Sequence, residues 1–402
     1  MRILFCPAHQ IYDAENEGSE FAWTFNIADR VASRFPGSLV VTGRTEIGRR
    51  PYRIVSLTPG ERRFNAGVAY ALRFNALYTL ATMRALHRGE FDLVHHVLPF
   101  ALDRTYNLAA ALPGRRTPFV IGPIQMPLTV PDTDIDPSDV RKTSLSEPSL
   151  DPLLLRAADP ILRVLSRRTL RSATRLVAVD RATRDALTAR GVLPGRISII
   201  PPGVDTARFA FAPFATKRPP FRLLCVCHLV ARKNVALVLH ALVEISRRVP
   251  RVELSVVGDG PQRTSLEALA DRLGVRGRVR FEGSVPHGRV HSHYEKAHVF
   301  VSASRAESFG TSCLEAMASG LPVVSTAVGA FRETVRDGHN GYIVQQETSG
   351  ELADRVTTLL QQPRLLEDFG RRARATAEQS FDWDRVVVPS YLDVYAAALG
   401  GR

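Results

Sequence analysis

The feature that most constrains this chain is a stretch from Ser304 to Thr326, which reads SRAESFGTSCLEAMASGLPVVST. A polar, turn-forming segment leads to a Phe-Gly pair, and the residues after that pair are mostly helix formers. Gly320 and Pro322 end this helix, and two valines then begin a short buried strand. Unpaired backbone amides and the positive end of the helix dipole gather where the loop enters the helix. The stretch therefore predicts an anion-binding site at that point.

Two carboxylates frame the predicted anion site, Glu307 in the loop and Glu315 inside the helix. In one interpretation Glu307 complements the helix dipole and Glu315 is a solvated surface residue. In the other, Glu307 accepts hydrogen bonds from sugar hydroxyls and Glu315 accepts them from a ribose diol. The whole string resembles the signature of retaining family 4 glycosyltransferases, in which seven residues separate two glutamates and Phe-Gly follows the first. Because many positions match, the resemblance favours the second interpretation.

Length and composition place the chain among ordinary globular proteins. Its 402 residues are enough for two domains, and 45% hydrophobic with 23% charged residues predicts normal cores. The first residues, MRILFCPAHQ, are typical of a strand and not of a signal peptide, and no apolar run approaches the ~18 residues that span a bilayer. We therefore expect a cytoplasmic protein, attached at most to the inner face of the cell membrane. The cysteines are too few and too scattered for a disulfide framework or a zinc site: Cys6, Cys225, Cys227 and Cys313.

The formal net charge is +13, from 53 basic and 40 acidic residues. Residues 1–210 hold 28 of the basic and 20 of the acidic residues, so the excess lies toward the N-terminal half. Such a surplus fits nucleic acid, an anionic membrane or a phosphorylated acceptor, or it follows from compositional drift. The sequence carries no nucleic-acid recognition motif and no alternation of aromatic and basic residues. We therefore predict no nucleic-acid partner and favour an anionic membrane surface or a phosphorylated acceptor.

A predicted helix over about residues 153–172 carries an arginine stripe. Arg163, Arg167 and Arg171 lie four residues apart, with Arg168 beside them and Arg175 continuing the spacing. At ~3.6 residues per turn these side chains share one helix face. Such a face is either solvated or in contact with the phosphate groups of a membrane. Three apolar neighbours complete a surface suited to an anionic leaflet: Leu162, Leu165 and Leu170.

The chain is predicted to divide into two domains joined by a linker. An aperiodic stretch over residues 206–220 separates an N-terminal, acceptor-side domain, residues 1–205, from a C-terminal, donor-binding domain, residues 221–384. The phrase GVDTARF near this boundary resembles the linker phrase of the family, although a proline precedes it where Asn is usual. In the family's fold the C-terminal helix, about residues 385–402 here, crosses back to the first domain. The resemblance is strong over about residues 197–395 and looser before them.

The turn after the first strand of the second domain is predicted to face the donor diphosphate. In the family an Arg follows this strand directly and a Lys comes a few residues later. Lys233 fits the Lys, while His228 stands at the Arg position and Arg232 offers a second cation beside Lys233. A merely basic helix start is a poor alternative, because cations there oppose the helix dipole. The resemblance thus assigns Lys233 and Arg232, together with Glu307, to the catalytic group.

The resemblance also implies a set of donor-binding residues. The loop after the first strand of the chain carries one glycine, Gly18, where the family has a glycine pair. A strand-to-helix turn places Asp259 near the donor, and a later loop places Val285 against the nucleotide base. Together with the signature, the donor-binding set is Gly18, His228, Asp259, Val285, Ser308, Phe309, Gly310, Thr311 and Glu315.

Candidate acceptor-side residues lie in the first domain. His95 and His96 end an apolar strand, where ligands of open α/β sheets bind, although paired histidines are also ordinary polar rim residues. Some family members carry a His at the next turn, where this chain has Gly122 and Pro123. We therefore count His95 and His96 as catalytic candidates, beside backbone groups of that turn. A long loop over residues 125–152, rich in Pro, Asp and Ser, is predicted to cover the acceptor.

The resemblance implies the GT-B fold, an α/β architecture in which two Rossmann-like, doubly wound domains face each other across a cleft. It implies a retaining hexosyltransferase that moves a sugar from a nucleotide-diphosphate sugar to a hydroxyl of a lipid-linked, saccharide or small-molecule acceptor. Cations and amides replace a metal ion at the diphosphate, so neither a metal nor a cofactor is expected. Four histidines near one another in sequence lack a carboxylate or Cys to complete a metal-ligand set: His287, His291, His293 and His298.

Two other classes remain open from the sequence. A nucleotide-sugar epimerase shares the architecture, but it needs an acid–base pair and no acceptor, so donor turnover without acceptor would identify it. A basic, non-catalytic nucleic-acid binder would show salt-dependent affinity for DNA or RNA. Within the transferase class, glycolipid, cell-envelope or polysaccharide synthesis and a soluble acceptor all stay open, as do the donor base and the sugar.

Overall fold

Short apolar strands alternate with helices through most of the chain, and in the computed structural model this alternation builds two separate units. Among the described residues, the first unit takes in residues 1–125, 152–202 and 386–400, and the second takes in residues 203–385. The chain therefore crosses to the second unit after residue 202 and returns after residue 385. The structure describes residues 1–8, 11–12, 19–45, 47–58, 68–97, 100–101, 106–112, 114–125, 152–211, 220–307, 309–329 and 331–400.

Sixteen strands are present in the described residues, and most of them are continuous apolar runs. Such runs suit parallel strands that are covered by helices on both faces. In chain order the strands are β1 (Ile3–Phe5), β2 (Ile11–Tyr12), β3 (Leu39–Thr42), β4 (Arg44–Thr45), β5 (Arg53–Ser56), β6 (Leu93–His96), β7 (Phe100–Ala101), β8 (Phe119–Gln125), β9 (Arg175–Ala178), β10 (Ile197–Ile199), β11 (Phe221–Val226), β12 (Val252–Val257), β13 (Val279–Gly283), β14 (Val299–Ser302), β15 (Val323–Thr326) and β16 (Gly341–Val344).

All described pairings in the two main sheets are parallel. The first unit has the order β10-β9-β8-β6-β1-β3-β5, with β7 added against β8, while β2 and β4 pair separately. The second unit has the order β13-β12-β11-β14-β15-β16. In the second sheet the order reverses between β11 and β14. Ligands of doubly wound sheets bind at the carboxyl ends of the strands on either side of such a switch point.

Twelve α-helices are present in the described residues. None of them combines the length and the apolar character that a membrane crossing needs. In chain order they are α1 (Ser19–Arg34), α2 (Val68–His87), α3 (Pro152–Ser172), α4 (Arg181–Ala189), α5 (Val235–Arg248), α6 (Arg263–Arg272), α7 (His287–Lys296), α8 (Thr311–Ala318), α9 (Phe331–Thr334), α10 (Ser349–Gln361), α11 (Pro363–Ser380) and α12 (Val388–Gly400).

The last helix, α12, belongs to the first unit although it comes after the whole of the second. A π-helical turn over Trp383–Val387 precedes it, and its residues Tyr391 and Tyr395 are buried. Phe381 and Val204, on the two segments that cross between the units, are joined by a hydrogen bond of 2.8 Å from the Val204 amide to the Phe381 carbonyl. The outgoing and returning segments therefore run side by side within the second unit.

The arginine stripe of α3 differs in part from the sequence prediction. Arg175 is not helical, because the helix ends at Ser172; it begins β9 and donates to the Gly195 carbonyl at 2.6 Å. Leu162 and Leu170 are buried in the unit, and so they are not surface neighbours of the stripe. The apolar residues on the exposed face are Ile161 and Val164, each 64% exposed. The spacing predicted the helix correctly but did not say which side faces the core.

Candidate functional site

The switch point of the second sheet brings two distant loops together. Strands β11 and β14 are neighbours, so the loops at their carboxyl ends lie side by side. The first loop contains a 3-10 turn over Ala231–Lys233, and the second leads through Glu307 into α8. The Arg305 amide donates to the Arg232 carbonyl at 2.8 Å and ties the two loops. Residues about 70 positions apart in sequence thus meet at one sheet edge.

A nearly buried ion pair lies at the centre of this edge. The Lys233 ammonium donates to Oε1 of Glu307, and the two side chains are only 12% and 6% exposed. Ser304 Oγ donates a second hydrogen bond to the same oxygen at 2.9 Å. Arg232 donates to the Ala306 carbonyl at 3.3 Å, and its Nη1 lies 4.0 Å from Oε2 of Glu307. The structure thus brings together the three residues that the signature and the basic pair predicted.

The charge balance of this group is positive, because two cations face one carboxylate. A carboxylate this deeply buried is tolerated only when it is paired and hydrogen-bonded, as Glu307 is. Arg232 is 34% exposed, so its guanidinium also faces solvent. The start of α8 lies on the same loop and adds the positive end of a helix dipole. The arrangement is suited to an anion with several oxygens, such as a diphosphate.

The backbone around the start of α8 is held by close packing. Phe309 is buried, with its ring 6.1 Å from that of Phe381 in an edge-on contact. Gly310 is the N-cap and has φ +79°, a conformation that favours glycine. A Cβ at Gly310 would also overlap the ring of Phe331. The first turn of α8 therefore has one fixed position relative to the Glu307 loop.

Only one face of α8 reaches solvent, and it carries Thr311, Ser312 and Glu315. Glu315 is 13% exposed and already bonded at both oxygens. His287 Nε2 lies 3.0 Å from Oε1, and the Tyr294 hydroxyl donates to Oε2 at 2.7 Å. Burial raises the pKa of Tyr294 well above its ordinary value, so the hydroxyl stays protonated and donates at neutral pH. Glu315 is therefore held in one orientation and is not the solvated surface residue of the alternative interpretation.

The remaining predicted donor residues lie around the same sheet edge or outside the described residues. His228 is exposed just after β11, and Val285 is half-buried between β13 and α7. Asp259 follows β12; its carboxylate accepts from the Gly260 amide at 2.7 Å and from Arg263 at 3.1 Å. Gly18 and Ser308 lie outside the described residues, as do the predicted acceptor-covering loop from residue 126 onward and residues 212–219 of the linker.

The structure buries the two histidines that the sequence offers as acceptor-side candidates. His95 and His96 are fully buried at the end of β6. Tyr395 donates to His95 Nδ1 at 2.7 Å, and His95 Nε2 lies 3.0 Å from the Gly122 carbonyl, which places the ring proton on Nε2. Burial lowers the pKa of each ring to about 3, so both are neutral at pH 7. His95 instead links the sheet to α12.

Sequence reasoning missed the two residues that hold Glu315. The sequence shows His287 only as one of four neighbouring histidines, and the other three, His291, His293 and His298, are not the ones that contact Glu315. The available signal was helical spacing: positions 287, 290 and 294 are three and seven residues apart and share one face of α7. Among the described residues, no cluster of three or more His, Cys, Asp or Glu side chains is placed to hold a metal ion.

Gly329 is expected to be essential for the position of the Glu307 loop. It has φ +50°, and an added Cβ would overlap the backbone carbonyl of Glu307. The variant Gly329→Ala should lose about 2–5 kcal/mol of unfolding free energy from the positive φ and the overlap combined. Chemical denaturation measures this loss. The matched control is Gly338→Ala, which has φ +70° but nothing within 4 Å, so it tests the backbone conformation alone. Equal losses in the two variants would contradict the role of the contact.

The architecture is shared with solved structures. HepE from Anabaena, crystallised in complex with UDP, gives a TM-score of 0.68 over 99% of this chain and 100% of its own length, at 20% identity. A likeness at this identity shows the fold alone. Two doubly wound units with a crossing-back C-terminal helix define a protein of the GT-B fold.

Two family models match successive parts of the chain. Residues 39–208 match Glycosyltransferase Family 4, and residues 208–376 match Glycosyl transferases group 1. The chain belongs to this family of glycosyltransferases, as its signature predicted.

Two curated relatives show how far the likeness extends. The chain is 33% identical over 239 residues to the GDP-mannose-dependent alpha-(1-6)-phosphatidylinositol monomannoside mannosyltransferase of Mycolicibacterium smegmatis. The aligned residues cover 56% of this chain and 63% of that protein. It is 34% identical over 246 residues to D-inositol 3-phosphate glycosyltransferase 2 of Catenulispora acidiphila, and the aligned residues cover 57% of this chain and 57% of that protein. The matched part therefore spans less than two thirds of either relative.

Proposed function

We propose that this chain is a retaining glycosyltransferase that moves a sugar from a nucleotide-diphosphate sugar to a hydroxyl group. The observation that carries the proposal is the Lys233–Glu307 pair at the switch point, with Arg232 beside it and α8 behind it. A nucleoside diphosphate gains negative charge as its bond to the sugar breaks. Two cations and a helix N-terminus offset that charge where it develops. Family membership supports the same reaction class.

Each predicted residue takes a specific part in this reaction. Glu307 accepts hydrogen bonds from hydroxyls of the donor sugar and holds Lys233 in place. Lys233 and Arg232 bind the diphosphate oxygens, together with the amides that follow Phe309. The acceptor hydroxyl attacks the anomeric carbon from the face that the diphosphate leaves, so the anomeric configuration is retained. The bond between the anomeric carbon and the diphosphate oxygen breaks. A new bond forms between the anomeric carbon and the acceptor oxygen, and the proton of the acceptor hydroxyl passes to the departing phosphate.

We expect the reaction to proceed without a metal ion. In many nucleotide-sugar enzymes Mg²⁺ or Mn²⁺ neutralises the diphosphate, and here two protein cations supply the same positive charge. Fixed cations on a rigid loop need no reorganisation when the bond breaks. The expected result is transfer at an undiminished rate in excess EDTA. Loss of activity that added Mg²⁺ or Mn²⁺ restores would contradict metal independence while leaving the transferase assignment intact.

The experiment that tests the function starts with the donor. A thermal-shift screen of UDP-, GDP- and ADP-sugars in EDTA is expected to identify one base class, because a ligand that binds only the native state raises Tm. Incubation of that donor with glycolipid and oligosaccharide acceptors should then give a product with the donor's anomeric configuration by NMR. Donor turnover to an epimer without acceptor would support the epimerase alternative. Binding of no nucleotide sugar would overturn the proposal.

A lipid-linked acceptor at an anionic membrane is the acceptor class we favour. The exposed face of α3 carries four arginines together with Ile161 and Val164, both 64% exposed. A basic helix face with apolar residues among its cations suits the interface of an anionic leaflet, where each basic residue contributes about 1 kcal/mol. The name of the mycobacterial relative describes action on a phosphatidylinositol mannoside. The exposed arginines are Arg163, Arg167, Arg168 and Arg171.

Vesicle sedimentation tests this surface. The wild-type protein is expected to bind vesicles that contain anionic lipid at low salt, to dissociate as salt rises, and to ignore neutral vesicles. Changing Arg163, Arg167 and Arg171 to Glu should abolish binding. A matched control changes three exposed arginines of the second unit to Glu and should bind like the wild type: Arg247, Arg272 and Arg289. If both triple variants lose binding equally, net charge and not α3 is responsible, and the acceptor is to be sought in solution.

A further inference from the structure

Glu315 is held by two side chains that come from another helix. The carboxylate accepts hydrogen bonds at 3.0 Å from His287 on Oε1 and at 2.7 Å from Tyr294 on Oε2. An ionised carboxylate has about four lone-pair positions, two on each oxygen. The two bonds therefore use one position on each oxygen and leave one position on each. Glu315 can therefore accept two further hydrogen bonds, one on each oxygen, and residues of α7 fix the orientation of both oxygens.

The tautomer of His287 is set by its other contacts. Arg208 Nη1 lies 3.4 Å from His287 Nδ1, and because a guanidinium only donates, Nδ1 accepts. The ring proton is therefore on Nε2, which faces Glu315. Arg208 Nη2 also donates to the His287 carbonyl at 2.7 Å, and the Phe209 ring lies 6.2 Å from the imidazole. Residue 287 is thus fixed from its backbone to the tip of its ring.

Tyr294 is fixed as firmly from the opposite side. Its ring is fully buried, with an edge-on contact of 5.6 Å to Phe209 and a stacked contact of 6.3 Å to Phe300. Its hydroxyl reaches Glu315 from the buried side. His287, at 34% exposed, closes the other side and faces solvent. The Glu315 side chain keeps 13% of its surface exposed, so a hydroxyl-bearing ligand can approach it from solvent.

We propose that His287 and Tyr294 are positioning residues that make Glu315 a paired acceptor for a vicinal diol, the ribose of a nucleoside diphosphate. The inference rests on the proposed function, because the ligand is the donor nucleotide. Each ribose hydroxyl donates to one oxygen of Glu315, opposite the bond from His287 or Tyr294. The pair therefore selects ribonucleotides over 2′-deoxyribonucleotides. Neither residue touches the reacting atoms.

Calorimetry with matched nucleotides tests this inference. The probes are UDP and 2′-deoxy-UDP, or GDP and 2′-deoxy-GDP if the protein prefers guanine. The wild-type protein should bind the ribonucleotide about tenfold more tightly, since the deoxy form loses a hydrogen bond to a charged acceptor. His287→Ala and Tyr294→Phe should each reduce this preference to about twofold or less. His287→Gln keeps an N–H donor near the position of Nε2 and should largely restore it.

Control variants separate positioning from simple stability. His293→Ala lies on the same helix and should retain the tenfold preference; His293 is part-exposed like His287. If His287→Ala lowers Tm but keeps the preference for the ribonucleotide, the network is only a structural link between α7 and α8, and the inference is overturned. If neither nucleotide binds to the wild type, the proposed function fails first. Binding with an unchanged preference in every variant overturns the positioning role alone.

Discussion

Sugar transfer should fall by about 10²–10³-fold when Glu307 is replaced by glutamine, with the fold intact. Glutamine keeps the shape of the side chain but removes the charge that pairs with Lys233 and that we propose accepts from donor hydroxyls. Ser304, which donates to Oε1 at 2.9 Å, keeps an acceptor in the amide oxygen. The loss should appear mainly in kcat, because we assign Glu307 to the orientation of the sugar during bond breaking.

The more usual alanine variant would give a less specific result. Glu307→Ala removes the acceptor oxygen as well as the charge, so the Lys233 ammonium, 12% exposed, and the Ser304 hydroxyl both lose their partner, which costs about 3–5 kcal/mol of unfolding free energy. A loss of activity in that variant would therefore mix chemistry with stability. Glu347→Gln is the matched control, because Glu347 is an exposed carboxylate of the same unit. Turnover of Glu307→Gln within threefold of the wild type would exclude a catalytic role for the carboxylate.

Replacing Lys233 with alanine is expected to reduce kcat/KM by a similar factor, about 10²–10³-fold, through the diphosphate. The wild type should bind a nucleoside diphosphate far more tightly than the corresponding nucleoside, because we assign the ammonium and Arg232 to the phosphate oxygens. Lys233→Ala should lose most of that difference while the affinity for the nucleoside stays the same. Isothermal titration with UDP and uridine, or with GDP and guanosine, measures both quantities.

Another lysine of the second unit, Lys296, serves as the control for Lys233. Lys296 is exposed at the end of α7, so Lys296→Ala should leave both affinities unchanged. The Lys233–Glu307 pair also predicts non-additive stability. The double variant Lys233→Met with Glu307→Gln should be less destabilised than the sum of the single variants, since no buried charge is left unpaired. A Lys233→Ala protein that still binds the diphosphate as the wild type does would remove Lys233 from the donor site.

The core of the candidate site was predictable because its residues lie in one short segment. The loop through Glu307, the glycine at the helix start and the helix that carries Glu315 follow one another directly, and local propensity defines them. Lys233 lies 74 residues earlier, and it was predicted only through the resemblance. The structure shows why the two meet: β11 and β14 are adjacent, and a parallel sheet places both carboxyl ends at the same edge.

His95 illustrates the opposite case. A pair of histidines at the end of an apolar strand is the same pattern whether it faces a ligand or the core. Which of these holds depends on what packs against the strand, and here α12, nearly 300 residues later, supplies the Tyr395 hydroxyl. The exposed face of α3 is a similar case, because arginine spacing defines a helix but the neighbouring elements decide that Ile161, and not Leu162, reaches solvent.

The sequence by itself determined the α/β class, the family and the loop that leads through Gly310 into α8, because these depend on local patterns of helix formers, glycines and apolar runs. Tertiary structure alone decided the partners of each charge. Glu315 has its orientation from His287 and Tyr294, which approach it from a different helix, and the contact between them spans more than 20 residues. Burial, hydrogen-bond partners and pKa depend on groups brought together by the sheet order, and no local pattern in the chain specifies that order.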